Sequence, residues 1–267
     1  MNTDLKDFFS YIWRNCYQIV AWEKGKPTTE FPSVFGSGFV LRVEDEDIFV
    51  TADHVIHKKD HEDGLRTGQE YHYAIVNNKN VDFKSVMTPI GGFYDYTGFD
   101  IRNWFNSDIE AAIIPDELMD FAFARLETTG EYPFLTHDLT VGGEVIVEPG
   151  LEKTRISLDT LARPVKGKEY FVLGTPKNEL KGGIIWDRGN ALHRALSFVG
   201  ESDGKYNFCY GGFVKKGEWE GLSGSPVFSC DGELVGMLVL ADFDGGTDIV
   251  KAIPIDRIVD FIKRMRL

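Results

Sequence analysis

Between residues 5 and 17 apolar side chains recur every three to four positions, at Leu5, Phe8, Phe9, Ile12 and Trp13. That is the period of a helix with one buried face, so the chain is predicted to open with a short helix packed onto something larger. From Gln18 the pattern changes to short β-branched and aromatic runs separated by Gly, Pro, Asn and Asp, which predicts strands at 18–22, 38–43, 48–51, 71–76 and 111–114. The same texture returns at 144–147, 169–173, 196–199, 206–210, 226–229, 234–240 and 249–253. Two sets of about six short strands predict two all-β units, because a single closed barrel rarely uses a dozen. Residues 127–161 hold Thr-Thr-Gly, a proline and little sustained pattern, so the boundary is placed there. The tail, 255–267, returns to helical spacing, with Ile255, Ile258, Val259, Ile262 and Met265 on one face and Lys263, Arg264 and Arg266 in the last turn, where cations suit the helix dipole. The expected organisation is therefore a helix over 1–17, a first β unit over 18–126, an interbarrel segment over 127–161, and a second β unit with its C-terminal helix over 162–267.

Composition narrows the function. The chain has 267 residues, 43% hydrophobic and 27% charged, enough apolar material for a sizeable core. With 29 Lys and Arg against 42 Asp and Glu, the formal charge is −13. Such a field repels phosphate, so no nucleic-acid partner is expected. The longest apolar run, 234–241, is broken by Gly236 and is far shorter than the roughly 20 residues of a membrane span, so no membrane partner is expected. The first residues carry Asp4 and Asp7 where a secretory leader would carry basic groups, and only Cys16, Cys209 and Cys230 occur. Reduced thiols and a cytoplasmic location are the expectation.

The string Gly221-Leu222-Ser223-Gly224-Ser225-Pro226-Val227-Phe228 is a glycine-rich turn leading into a strand. Small neighbours let the Ser223 hydroxyl stand clear of the backbone, and a tight turn can aim the amides of Gly221 and Ser223 at one point, as an oxyanion hole requires. The same residue types also make ordinary β-turns. A serine hydroxyl needs a base to take its proton. Of six histidines, His54 stands at the end of the apolar strand Phe49-Val50-Thr51, whereas His57 and His61 lie in a charged stretch and His72, His137 and His193 lack context. The base needs an acid to fix its tautomer, and Asp108 fits, standing where Asn106-Ser107 enters the apolar run Ala111-Ala112-Ile113-Ile114. Strand-entry capping explains such an Asp equally well. The order His, Asp, Ser, two in the first unit and one in the second, joins the three.

With these motifs the sequence resembles the trypsin-like, chymotrypsin-fold serine peptidases, and is most similar to their disulfide-poor branch, which includes the high-temperature-requirement proteases and the glutamyl endopeptidases. The resemblance rests on Gly36-Ser37-Gly38-Phe39-Val40, Thr51-Ala52-Asp53-His54, Ser107-Asp108-Ile109, Val172-Leu173-Gly174-Thr175-Pro176, Gly221 to Pro226, and Lys251-Ala252-Ile253-Pro254. It implies two perpendicular six-stranded barrels with the site between them, and Ser223 rather than Ser225 as nucleophile. It also implies His54 as base, Asp108 as orienting acid, Gly221 and Ser223 as oxyanion donors, and no cofactor. The acid that digestive members carry before the nucleophile is replaced by Leu222, so activation through that ion pair is absent.

The resemblance further implies that Val239, Leu240 and Ala241 pair with an extended polypeptide substrate, and that Gly217, Trp219, Ile249 and Lys251 stand near the pocket for the residue before the cut. Lys251 pointing inward would favour an acidic side chain; pointing outward it is a solvated surface lysine. A protease inside the cell is expected to be narrow in specificity or held by a regulatory protein. Two other readings compete: a pseudo-protease that binds peptides or partners without cleaving them, and a metal-dependent hydrolase built on His54, His57, His61 and Asp63.

Overall fold

The computed structural model describes residues 3–28, 30–57, 71–78, 85–95, 120–126, 134–141, 143–177, 179–181, 184–186, 191–212, 216–242 and 248–265. The N-terminal unit is built from β1 (Tyr17–Glu23), β2 (Val34–Val43), β3 (Glu46–Thr51), β4 (Tyr71–Asn78), β5 (Ser85–Ile90), β6 (Tyr94–Asp95) and β7 (Ala122–Arg125). They form one antiparallel sheet in the order β5-β4-β1-β2-β3-β7-β6. The predicted strand at 111–114 lies outside the described residues.

Where a six-stranded barrel was expected, this sheet has eight strands and, among the described residues, runs from β5 to β6 without closing. The eighth strand is added along β2. Its first half pairs with β1 up to Gly38, its second half pairs with β3, and beyond Gly38 the edge that β1 has left is covered by a parallel strand. That strand comes from the interbarrel segment, with Ile156 opposite Leu41. The added strand is fastened by a charge cluster in which the buried Asp47 carboxylate accepts from Arg42, at 2.7 Å, and from Arg155.

The interbarrel segment holds the hairpin β8 (Leu139–Val141) and β9 (Glu144–Val147), then the two-residue β10 (Ile156–Ser157) just described and a 3-10 turn, Leu158–Thr160. The C-terminal unit is a closed antiparallel barrel. Its strands are β11 (Glu169–Gly174), β14 (Ala191–Ser202), β15 (Lys205–Tyr210), β18 (Ile249–Pro254), β17 (Leu234–Asp242) and β16 (Pro226–Ser229), in that order around the ring. A separate hairpin, β12 (Glu179–Lys181) with β13 (Ile184–Trp186), follows β11. Alternate residues fill the barrel: Tyr170, Val172, Leu196, Phe208, Val250 and Ala252 are all buried in one cluster.

Among the described residues there are four α-helices: α1 (Thr3–Arg14), α2 (Asp53–Ile56), α3 (Lys216–Trp219) and α4 (Ile255–Met265). The two long ones strap the units together in opposite senses. From the N-terminus, Phe8 of α1 meets Phe171 of the C-terminal barrel with ring centroids 5.2 Å apart, and Tyr11 meets Phe228 at 5.8 Å. From the C-terminus, Phe261 of α4 meets Phe121 and Phe123, beside and within β7, at 5.2 and 6.0 Å. The largest apolar core therefore runs unbroken across both units, including Phe39, Phe49, Phe171, Phe228 and Ile258. Burial on both faces explains why β3 reads as the continuous apolar run Ile48-Phe49-Val50 rather than alternating. No helix among the described residues is long and apolar enough to cross a membrane.

Helix α1 ends against a buried cation. The ammonium of Lys153 donates to the carbonyl of Cys16 and lies 5.5 and 4.8 Å from the ring centroids of Trp13 and Tyr17. A cation suits a helix C-terminus. Burial pushes the Lys153 ammonium down to about 8 and the Cys16 thiol up to about 12. None of the three cysteines forms a disulfide.

Candidate active site

His54 is carried on α2, a single turn that starts two residues after β3 ends. So short a helix does not stand alone. It is seated by Val55, which occupies the space above Gly36: a Cβ on Gly36 would lie 2.4 Å from Val55 Cγ1. Within the turn, His57 Nδ1 lies 2.7 Å from Oδ1 of the fully buried Asp53. His61 and Asp63, which the metal reading needs, lie outside the described residues.

The carboxylate at His54 belongs to Asp120. Its Oδ2 lies 2.7 Å from His54 Nδ1, and its Oδ1 accepts from the His54 backbone N–H at 2.9 Å. Sheet pairing brings them together. β7 runs beside β3 with Ala122 opposite Thr51, so the residue two before Ala122 faces the residues that follow Thr51. An imidazole that donates from Nδ1 to this carboxylate has its acceptor lone pair on Nε2. Asp108, to which the sequence reading gave this place, lies outside the described residues; the position beside Nδ1 is filled by Asp120. The missed signal was of the same kind: an Asp directly before the apolar run Phe121-Ala122-Phe123.

The turn 221–225 is anchored carbonyl by carbonyl. Glu220 O accepts from Lys177 N at 2.7 Å, Gly221 O from Ser37 Oγ at 2.8 Å, Leu222 O from Ser225 N at 2.9 Å, and Ser223 O from Ser37 N at 2.8 Å. Gly221 and Gly224 adopt φ of +91° and +92°, which an L side chain resists. At Gly224 space forbids one as well, since a Cβ would lie 2.0 Å from Ser37 O. Ser37 in turn accepts from Thr51 Oγ1 at 2.7 Å, three residues before His54. One buried serine of the first unit thus binds both the strand that leads to His54 and the turn that carries Ser223.

Ser223 is half-buried. Ser225 is fully buried, and its hydroxyl has no hydrogen-bond partner among the described residues. Of the two serines of the turn, only Ser223 has surface exposed to solvent. The peptides before Gly221 and Ser223 are trans, so anchoring Glu220 O and Leu222 O turns the N–H groups of Gly221 and Ser223 the opposite way. Neither of those amides meets a backbone acceptor among the described residues. Two such amides, that of Ser223 and that of the residue two before it, can receive a developing oxyanion.

Beside this turn runs β17. Gly224 N donates to Leu238 O at 2.8 Å and Leu238 N to Ser225 O at 2.9 Å, and β16 pairs with β17 only through Met237. From Val239 to Ala241 that edge has no strand partner among the described residues. Val239 and Ala241 are buried, whereas Leu240 is 48% exposed. On β18, Val250 and Ala252 face the barrel interior, so Ile249 and Lys251 take the other face, with Lys251 opposite Leu240. Of the two orientations left open for Lys251, it takes the outer face of the barrel, half-buried beside the exposed Leu240.

Trp219 is placed differently from the expectation. It is 5% exposed and stacks on His193, rings 3.8 Å apart and 19° from parallel, with Tyr210 edge-on at 5.4 Å. Burial also holds His193 below the ordinary histidine range, favouring the neutral ring that stacks there. Both rings belong to the packing of the second barrel. Gly217 lies in α3, next to this cluster.

Over residues 36–237 the sequence matches the trypsin-like peptidase domain family. The chain belongs to the trypsin-like peptidases. No curated protein sequence matches it. Among solved structures it is similar to a serine endoprotease from Yersinia pestis, with a TM-score of 0.55 and 12% identity over 99% of this chain; it spans 66% of that chain's length. It is also similar to the MamO protease domain of Magnetospirillum magneticum, with a TM-score of 0.50 and 13% identity, covering 95% of this chain and 98% of the other. The closed barrel and the open curved sheet are this trypsin-like peptidase's version of the chymotrypsin-like two-barrel fold.

Proposed function

We propose that this trypsin-like peptidase is an active serine endopeptidase, in which Ser223 attacks the scissile carbonyl and forms an acyl-enzyme. The observation that carries the reading is the Asp120 carboxylate 2.7 Å from His54 Nδ1, in a site whose nucleophile turn is bonded through Ser37 to the strand that leads to His54. In this reading His54 Nε2 takes the Ser223 proton and returns it to the leaving amine, and Asp120 stabilises the imidazolium. The amides of Gly221 and Ser223 hold the oxyanion, and water then hydrolyses the acyl-enzyme by the reverse sequence of proton transfers. No step calls on a cofactor.

The unpaired edge at Val239–Ala241 suits an extended polypeptide added as a further strand. Lys251, opposite Leu240, offers a cation beside that edge, and we assign it to the recognition of acidic side chains in the substrate. Leu222 in place of the activating acid leaves regulation to a partner protein or to narrow specificity.

The test is labelling by a fluorophosphonate probe, with the modified residue located by mass spectrometry. Labelling at Ser223 that vanishes in Ser223→Ala and persists in Ser225→Ala is the expected result. An unlabelled wild type would overturn the reading and leave a peptide-binding pseudo-protease.

A further inference from the structure

Of the four carbonyls anchored in the nucleophile turn, three are held by partners already tied to the site: Gly221 O and Ser223 O by Ser37, and Leu222 O by Ser225. The fourth is different. Glu220 O, which shares a peptide plane with the Gly221 amide, is held by the backbone N–H of Lys177 at 2.7 Å. Lys177 lies on another loop, three residues past the end of β11. The contact is close on both sides, since a Cβ on Gly221 would lie 2.6 Å from Lys177 N and 3.2 Å from Lys177 Cα. Glycine at 221 therefore serves two ends at once: it permits φ of +91° and lets the Lys177 backbone come within reach.

A trans peptide is a rigid plane with its carbonyl and amide pointing in opposite directions. Whatever holds Glu220 O also aims Gly221 N–H. A glycine beside the plane offers little resistance to rotating that peptide, so without an anchor the carbonyl rather than the amide can turn towards the site. An oxygen there would repel the oxyanion that the amide should receive.

We propose that the backbone N–H of Lys177 is the positioning group that locks the Glu220–Gly221 peptide with its amide aimed at the oxyanion. This rests on the peptidase reading above. The role belongs to the backbone of Lys177 and not to its ammonium, and it makes the loop after β11 part of the catalytic apparatus without touching substrate.

The test replaces the Pro176–Lys177 amide by an ester, through incorporation of the α-hydroxy analogue of lysine in the full chain, which deletes the N–H and keeps the side chain. Because the oxyanion develops only in the transition state, kcat is expected to fall by roughly 10²-fold with KM little changed. Affinity for a peptide aldehyde, which forms a tetrahedral adduct, is expected to fall in parallel. Lys177→Ala removes the ammonium but keeps the amide, and is expected to retain most of the activity that the ester loses. An ester variant with wild-type kcat and aldehyde affinity would overturn the proposal, as would a Lys177→Ala variant as defective as the ester. Amide hydrogen exchange on the unaltered protein is an independent check: Lys177 N–H is expected to be protected, and free exchange there would also overturn it. Failure of the peptidase reading looks different, since the wild type itself would then be unlabelled by fluorophosphonate and inactive.

Discussion

Asp120 grips His54 at two atoms, its Oδ2 2.7 Å from the ring Nδ1 and its Oδ1 accepting the backbone N–H at 2.9 Å. The bond to the backbone fixes where the carboxylate sits, and the bond to the ring uses that fixed position to choose the tautomer. Asp120→Asn keeps the shape but can present an amide N–H to Nδ1, which favours the wrong tautomer. The expected result is a fall in kcat of about 10³–10⁴-fold with the far-ultraviolet circular dichroism of the wild type. Asp108→Asn should leave kcat near the wild-type value; if the two variants exchange behaviour, the assignment of the acid is wrong.

Ser37 is the hinge pin between the units, donating from its amide to Ser223 O and from its hydroxyl to Gly221 O, each at 2.8 Å. Ser37→Ala deletes only the hydroxyl bond. A buried hydrogen bond of this kind is worth about 1 kcal/mol, and a loss of that size in the transition state alone lowers kcat by roughly fivefold. Steady-state kinetics and thermal melts on the same preparation separate the two effects: the reading expects both to move, and a change in stability with kcat untouched would confine Ser37 to a structural role.

Gly224 and Gly25 have nearly the same φ, +92° and +91°, but of the two only Gly224 is crowded; a Cβ on Gly25 meets nothing within 4 Å. Gly25→Ala therefore measures backbone strain alone, on the order of 1 kcal/mol. Gly224→Ala adds the collision with Ser37 O and is expected to lower the melting temperature well beyond that and to abolish fluorophosphonate labelling. Equal melting temperatures for the two variants would mean that the interface between the units yields readily at this point.

Lys153 makes a prediction about pH. Its folded value of about 8 lies below the ordinary 10.5. Between these two, the unfolded chain holds a proton that the folded chain has released, so stability rises with pH across that window. Below pH 8 both states are protonated and the penalty of the buried charge is fully present. Cys16, pushed up to about 12, acts in the opposite direction above pH 9. Comparison with Lys153→Met removes that overlap: from pH 8 to 10.5 the wild type should gain stability relative to the variant. Denaturant midpoints that run parallel across the range would show that Lys153 does not titrate there.

Much of this was legible without coordinates because it is local. The helical spacing of Phe9, Ile12 and Trp13 and of Ile258, Val259 and Ile262, and the β-branched runs of the barrel, record which side chains face the core. The turn Gly221 to Pro226 recorded its own backbone needs in its glycines, and His54 stood out at the end of an apolar strand. The two residues of β10 were not legible, since so short a strand has no period and exists only because β1 leaves the edge of β2 uncovered after Gly38. Trp219 was placed near the pocket by the family resemblance; its stacking on His193 and edge-on contact with Tyr210 were not legible, since those partners come from other strands.

The acid divides what is local from what is not. Asp108 and Asp120 both stand just before an apolar run, and no feature of their neighbours in the chain separates them. What sets the place of Asp120 is the pairing of β7 with β3, a contact between segments about seventy residues apart that is fixed by packing of the whole sheet. By itself the sequence determined that this is an all-β chain with helices at its ends, a histidine at a strand end and a serine in a glycine turn, because each of those is a property of a few consecutive residues. Only the tertiary structure decided that Asp120 orients the histidine, that Ser37 joins the two halves of the site and that Lys177 faces Glu220, because hydrogen bonds between distant segments depend on register, which a linear pattern does not contain.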